Sequence, residues 1–326
     1  MIELRGIKKT FRVAKREKGA AAVLLSLFKR EYKEIHALDG ISFSVEKGEI
    51  AGFIGPNGAG KSTAIKIMSG ILVPDSGDCT VLGMCPWASR RKYVAQIGVV
   101  FGQRTQLWWD VPVQDSFELL KNIYRVDGKR FRENLGELSE ILELDELLPV
   151  PLRQLSLGQR MRCEIAASLL HDPQVLFLDE PTIGLDALSK LAVRRIIADL
   201  NRERKITVIL TSHDMDDIEA LTNRILLIGK GRLLYDGGLG TLRSRYDRLR
   251  RLELHYVGIP APLPEPEGTR LISQKDNHAV YEVDTGVIGV SAVLSLLGEK
   301  LDIRDMSAGS RPIEEIIASL YREGNL

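Results

Sequence analysis

At 326 residues, with 44% hydrophobic and 27% charged side chains, the chain has the makeup of an ordinary soluble globular protein, long enough for one large domain and a smaller one. A formal net charge of +1 leaves no large positive field to attract nucleic acid. No run approaches the roughly 18 apolar residues of a membrane span, the N-terminus lacks a signal peptide's apolar core, and Cys79, Cys85 and Cys163, odd in number with no CxxC pair, fit reduced intracellular thiols rather than a disulfide framework or zinc site.

In chain order, the first distinctive stretch follows "KKTF". It opens basic (Arg12, Lys15, Arg16, Lys18) and continues "AAAVLLSLFKREYKE", where Ala21, Leu24, Leu25, Phe28 and Tyr32 recur at helical spacing beside Lys29, Arg30 and Lys33. This amphipathic segment, about 12–35, could rest on a membrane surface or a partner, or pack on its own domain.

"EIAGFIGPNGAGKSTAIKIMSGIL" then reads as a strand (Ile50 to Ile54), a Gly-rich turn and a helix. Gly55-Pro56-Asn57-Gly58-Ala59-Gly60-Lys61-Ser62, followed by Thr63, matches GxxxxGK[ST] in that strand–loop–helix setting. The glycines let successive N–H groups point inward at phosphates, and the helix starting near Lys61 adds its positive end. Lys61 is expected to reach the β- and γ-phosphates of a nucleotide, and the Ser62 hydroxyl to ligate Mg²⁺.

A helical segment, about 104–172, opens with "GQRTQLWWDVPV", where Leu107, Trp108 and Trp109 suit either an interface or a core. Within it, "RQLSLGQRMR" sets Ser156-Leu157-Gly158-Gln159 in a small polar loop, a second candidate phosphate contact, with a helix expected from near Gln159. "QVLFLDEPTIGLD" carries the apolar run of a strand buried on both faces, Val175 to Leu178, ending in Asp179-Glu180. At the carboxyl end of a parallel strand these acids emerge beside the phosphate loop, Asp179 to hold Mg²⁺ through water and Glu180 to act as general base on an attacking water. A further strand, "ITVILTSHD", ends at His213, placed to hydrogen-bond the γ-phosphate or that water.

Beyond "LLYDGG" the pattern changes. "RLELHYV" alternates as a strand, "GIPAPLPEPEGT" is a Pro-rich linker, and "RLISQKDNHAVYEVD" reads as a hairpin turning near Asp276-Asn277. "VSAVLSLLGEKL" reads as a helix, "DIRDMSA" as a strand and "RPIEEIIASLYRE" as a last helix. Arg243, Arg245, Arg248, Arg250 and Arg251 form a basic run, read as a solvated helix face.

The order of these motifs resembles the ATP-binding cassette (ABC) ATPases, the nucleotide-binding subunits of membrane transporters, over about residues 2–238. The resemblance implies an α/β fold: a P-loop NTPase core with an antiparallel β subdomain and an α-helical subdomain (1–238), plus a small C-terminal α+β accessory domain (239–326). It implies ATP and Mg²⁺ as ligands and two copies paired head to tail, the signature loop of each closing over ATP held by the other. Ser156, Gly158 and Gln159 would then serve the partner's nucleotide, and Asp186, in "GLDA", would lie across the interface. Gln103 takes the family glutamine's role toward Mg²⁺ and water, with Gln106 second; an extra Gly102 stands between it and Phe101, and Leu157 stands where the family usually has glycine. The adenine-stacking aromatic is Phe11, or Tyr32 by its distance to the next strand. The implied partners are a second copy and an integral-membrane permease, most simply for export, with the chain peripheral on the cytoplasmic face. An importer subunit, or a non-transport cassette acting on a soluble complex, is the alternative.

Overall fold

The structure is a computed structural model that describes residues 1–14, 32–102, 104–246, 248–258, 262–310 and 313–323. It divides into two compact units, Met1–Gly237 and Gly238–Leu326.

The first unit is built on two sheets. Strand β1 (Ile2–Ala14) pairs antiparallel with β2 (Tyr32–Val45) and β4 (Ser76–Val81), giving the order β2-β1-β4. The central sheet runs β5-β6-β7-β3-β8-β9, from β5 (Ile97–Phe101), β6 (Val175–Asp179), β7 (Thr207–Thr211), β3 (Ile50–Ile54), β8 (Arg224–Gly229) and β9 (Arg232–Gly238). From β5 through β8 the pairs are parallel, so the carboxyl ends of β3, β5, β6 and β7 open on one edge. That edge is where an open parallel sheet binds its ligand. Strands β6 and β7 read as unbroken apolar runs because both faces are covered.

Helix α1 (Lys61–Met68) lies between the two sheets, against β2, β4 and β6. Its Ala64, Ile65, Ile67 and Met68 are all fully buried, in one core with Ile2, Leu4 and Phe43 of the small sheet and Phe53 and Phe177 of the large one. At about 1.5–3 kcal/mol for each large side chain, this burial anchors the helix that follows the phosphate loop.

Helix α2 (Arg90–Val94) precedes β5. The helical segment then contains α3 (Val113–Tyr124), α4 (Gly128–Leu142), a short 3₁₀ turn (Leu152–Gln154) and α5 (Leu157–Leu169). Helices α6 (Ala187–Arg204) and α7 (Met215–Leu221) complete the unit.

The second unit carries α8 (Leu239–Tyr246) and a sheet in the order β11-β12-β10-β13, from β10 (Leu249–Val257), β11 (Thr269–Lys275), β12 (His278–Asp284) and β13 (Asp302–Ser310). Its described pairs are antiparallel, and α9 (Val290–Gly298) and α10 (Ile313–Glu323) follow β12 and β13. Leu252, Leu254, Tyr256, Tyr281, Val283, Val293 and Leu297 form its core.

Several local expectations are corrected. Residues 15–31 of the amphipathic segment lie outside the described residues, but its flanks are strand: Tyr32 pairs with Ala14, and Phe11 with Ile35. Cross-strand pairing thus removes Tyr32 from the helical stripe. Strand β7 stops at Thr211, before His213, because Asp214 caps α7 by accepting from Asp216 N at 3.0 Å. Helix α5 begins at Leu157 rather than near Gln159, because Ser156 and Gln159 form a reciprocal capping box. The arginine run is no single helix face: Arg243 lies on α8, whereas Arg250 and Arg251 lie on β10, where Arg251 pairs with Glu253 and Glu315 at 3.1 and 2.9 Å.

Candidate active site

A cleft of 530 Å³ opens at the carboxyl edge of the central sheet, lined among others by Asn57, Ser62, Gly102, Asp179, Glu180 and His213. Gly58 and Gly60 adopt φ of 81° and 111°, left-handed values that favour glycine. A Cβ on Gly60 would sit 2.4 Å from the Ala37 carbonyl oxygen of β2, and one on Gly55 2.5 Å from that of Ile228 in β8. The loop is therefore pressed between two strands and its backbone is exposed for close approach. Ala59 is buried; its N–H donates to the Pro56 carbonyl at 3.1 Å, and Gly231 N–H donates to its carbonyl at 3.0 Å. Ser62 and Thr63 occupy the first turn of α1.

Lys61 is only 5% exposed, and its Nζ donates to the carbonyls of Gly55 at 2.6 Å and Pro56 at 3.3 Å. Burial pushes its pKa below the ordinary lysine range, opposed by the nearby charges of Glu180 and Asp179. The result is an ammonium held inside the loop by backbone carbonyls, near two carboxylates. Phosphate oxygens are the ligands that such a loop, ammonium and helix N-terminus together accept.

Asp179 ends β6, and its Oδ1 accepts from Ser62 Oγ at 3.2 Å and from Thr211 Oγ1 at 2.7 Å. Among the described residues no group of three or more His, Cys, Asp or Glu forms a metal site. Ser62 and Asp179 nonetheless fit Mg²⁺, which takes one or two protein oxygens and completes its shell with phosphate and water.

Glu180 follows with φ of 55°, which turns its side chain off the strand. Its N–H is held by the Thr211 carbonyl at 3.1 Å and by Thr211 Oγ1 at 3.0 Å. Its Oε2 lies 3.5 Å from Nδ1 of the exposed His213. The edge thus gathers a phosphate-type loop, a carboxylate beside a hydroxyl and a second carboxylate facing an imidazole, a set suited to hydrolysing a phosphoanhydride.

Other candidates are placed elsewhere. Gln103 lies outside the described residues. Gln106 points to α5, where its Nε2 donates to the Glu164 carbonyl at 3.1 Å. Ser156, Gly158, Gln159 and Asp186 do not line the cleft of their own chain. Ser156 is exposed at the cap of α5, its Oγ accepting from Gln159 N at 3.2 Å while its N–H donates to Gln159 Oε1 at 2.9 Å. Gly158 is buried, and a Cβ there would meet Ser189 Oγ at 2.4 Å. Ser189 in turn donates from N and Oγ to Asp186 at 2.9 and 2.8 Å, holding that carboxyl below its usual range. The loop at Ser156 and the segment at Asp186 are thus packed together. Leu157, where the family usually has glycine, is 41% exposed. Phe11 and Tyr32 do not line the cleft either; Phe11 pairs with Ile35, two residues from Ala37 at the loop, whereas Tyr32 lies farther out on the same hairpin.

Two features were left unexplained or unread in the sequence. A Cβ on Gly102 would fall 2.1 Å from the Glu180 carbonyl oxygen, which explains the extra glycine before Gln103. Asp217, fully buried, accepts from Thr182, from Ser212 Oγ at 2.9 Å and from Arg194 Nε at 2.5 Å. It ties the residues after Glu180 and before His213 to α6. Thr211 and Ser212 are flagged only by two hydroxyls closing an apolar strand.

The family model described as ABC transporter matches residues 38–183. The chain is 31% identical over 230 residues to the ABC transporter ATP-binding protein NatA of Bacillus subtilis (strain 168), covering 71% of this chain and 92% of that one. It is 30% identical over 300 residues to the daunorubicin/doxorubicin resistance ATP-binding protein DrrA of Streptomyces peucetius, covering 89% of each. Among solved structures it resembles the dimeric post-hydrolysis state of the ATP-binding cassette MJ0796 bound to ADP and Pi, with TM-score 0.61 and 25% identity over 73% of this chain and 99% of that one. With the site's geometry, these similarities make the chain a member of the ATP-binding cassette family, an ABC transporter ATP-binding subunit that hydrolyses ATP.

Proposed function

We propose that the chain works as a head-to-tail dimer that closes on two MgATP and drives a separate membrane permease, for export. The observation that carries this is the separation of the two phosphate-type loops: Asn57 and Ser62 of the first meet Asp179, Glu180 and His213 at one cleft, while Ser156 is exposed and absent from that cleft's lining. One chain therefore holds two half-sites. In this reading Gly55 to Thr63 cradle the phosphates, with Lys61 on the β- and γ-phosphates, and Phe11 stacks on adenine. Glu180 takes a proton from the attacking water, and His213 orients that water and the γ-phosphate. Gln103 contacts the same water. Ser156, Gly158 and Gln159 of one copy close on the nucleotide of the other, and Asp186 faces the interface. Ser62, Asp179 and Gln103 would hold Mg²⁺, which would supply neutralisation of the phosphate charge.

Residues 1–238 are then the ATPase and 239–326 an accessory domain. The dimeric state named for MJ0796 and the drug-resistance function named for DrrA support dimerisation and export respectively. No helix among the described residues is long and apolar enough to cross a membrane; the separate permease and the peripheral place on the cytoplasmic face belong to the transporter reading. Trp108 and Trp109, 42% and 45% exposed just after Gln103, offer that permease an aromatic surface. Purifying the tagged chain from its native cells in mild detergent tests the assignment. A co-purifying multi-span protein that raises ATPase activity is expected; ribosomes, DNA or a soluble partner in its place would overturn the transport role.

A further inference from the structure

Helix α5 carries a glutamate that the ATPase chemistry does not use. Glu164 is 5% exposed, and its burial raises its pKa. Its carboxyl accepts from the Thr105 hydroxyl through Oε1 and from Gln106 N–H through Oε2 at 3.2 Å. The return bond runs from Gln106 Nε2 to the Glu164 carbonyl at 3.1 Å. One helical turn earlier, the Arg160 guanidinium stacks over the Trp109 ring at 4.5 Å while its Nη2 donates to the Leu155 carbonyl at 3.2 Å. Residues four apart share a helix face, so one face of α5 holds the segment 105–109 at two points. The same residues, Thr105, Trp109, Arg160 and Glu164, line one groove of 370 Å³. Thr105 stands two residues after Gln103, and Ser156 caps the same helix two turns before Glu164.

We propose that Glu164, seconded by Arg160, is a positioning residue that locks the segment after Gln103 to the helix bearing Ser156 and Gly158, so that the cleft side, the exposed Trp108–Trp109 surface and the Ser156 loop move as one piece. A buried carboxylate costs several kcal/mol in desolvation unless its lone pairs are filled, and a leucine or alanine would pack a helix without that cost. What the carboxylate adds is direction: it accepts only in the plane where the hydroxyl and the backbone N–H stand. Ser156 is thereby fixed relative to Thr105 and Gln106 through the helix it caps. The inference rests on the reading that Ser156 acts on bound nucleotide.

The test compares Thr105→Val, Glu164→Ala and Glu164→Gln in purified full-length chain, measuring kcat, KM for ATP and Tm. In a Trp87→Phe background, which leaves Trp108 and Trp109 as the emitters, the ATP-dependent change in tryptophan fluorescence is recorded as well. Thr105→Val and Glu164→Ala are expected to lower kcat by about tenfold or more with KM for ATP within about twofold, because misplacement of a positioned group falls on the rate and not on ground-state binding. The ATP-dependent fluorescence change should shrink with it. Glu164→Gln still offers an acceptor to Gln106 N–H while the Thr105 hydroxyl turns to accept, so it should retain most activity. Should Glu164→Ala fail to fold, Thr105→Val decides the matter, since it keeps the side chain's shape. A fall in Tm with kcat and fluorescence response unchanged below that Tm would reduce the cluster to plain packing and overturn the proposal. Ser156→Arg, measured in parallel, separates the two claims: if it stays active, the reading of Ser156 fails; if it is inactive while Thr105→Val and Glu164→Ala turn over normally, only the role of Glu164 fails.

Discussion

Thr211 gives the sharpest handle on how the site is held. It is fully buried, and its single hydroxyl donates to Asp179 Oδ1 at 2.7 Å while accepting from Glu180 N at 3.0 Å. Thr211→Val keeps the side chain's shape and removes both bonds. Glu180 N–H retains the Thr211 carbonyl at 3.1 Å, so that loss is partial. Asp179 Oδ1 keeps Ser62 Oγ at 3.2 Å but loses its shorter, charge-assisted partner. A hydrogen bond to a charged group contributes about 1.5–3 kcal/mol, and Thr211 itself is fully buried, so we expect a loss of about 2 kcal/mol. Thr211→Ser is the control: it keeps the hydroxyl and deletes a methyl, costing about 1 kcal/mol. Urea unfolding monitored by circular dichroism measures both. The half-saturating Mg²⁺ concentration for ATPase activity should rise several-fold in Thr211→Val and not in Thr211→Ser, since only the former frees Asp179. If the valine variant matches the serine variant in stability and its Mg²⁺ dependence is unmoved, Thr211 does not support Asp179.

Glu180→Gln should lower kcat by about 10²–10⁴-fold, the range of a general base, with ATP affinity retained, as read by single-turnover hydrolysis and nucleotide binding. Gly102→Ala puts a methyl 2.1 Å from the Glu180 carbonyl oxygen, a backbone atom that cannot swing aside; it should destabilise by at least about 1–3 kcal/mol in a denaturant titration and depress turnover with it. Glu164 binds its proton more tightly folded than unfolded because burial raises its pKa. Its contribution is therefore fully present below the ordinary glutamate pKa and is lost as pH rises toward the folded value. Stability measured from about pH 4 upward should fall less steeply in Glu164→Gln than in the parent chain, and equal slopes would contradict the assigned burial effect.

The phosphate loop was legible because its strand, turn and helix are contiguous: Ile50 to Met68 carries apolar period, glycines and lysine in one stretch, and local rules suffice. Asp179 and Glu180 were legible because a run buried on both faces that ends in acids marks the carboxyl end of a parallel strand. The start of α5 was also written locally, since Ser156-x-x-Gln159 is a capping box; read without the box, the helix is expected from near Gln159 rather than Leu157. Gly102 was visible as an oddity and explicable only once β5 and β6 lie side by side, because the atom it avoids is 78 positions away in the chain. The Asp217 cluster draws on Thr182, Arg194 and Ser212 from separate elements, and the hydrogen bonds of Glu164 close across 58 and 59 residues. No periodicity encodes such pairs. Tyr32 failed for the converse reason: its helical spacing was real, but pairing with β1 outweighed it.

The central claim is that each chain is half of two sites, closed by a second copy at Ser156. Light scattering of Glu180→Gln with MgATP, beside the double variant Glu180→Gln/Ser156→Arg, tests it directly, with bound nucleotide quantified in both. The account predicts twice the 36.3 kDa chain mass for the first and the single mass for the second, each still holding ATP. The same mass for both, with nucleotide bound in both, would contradict it.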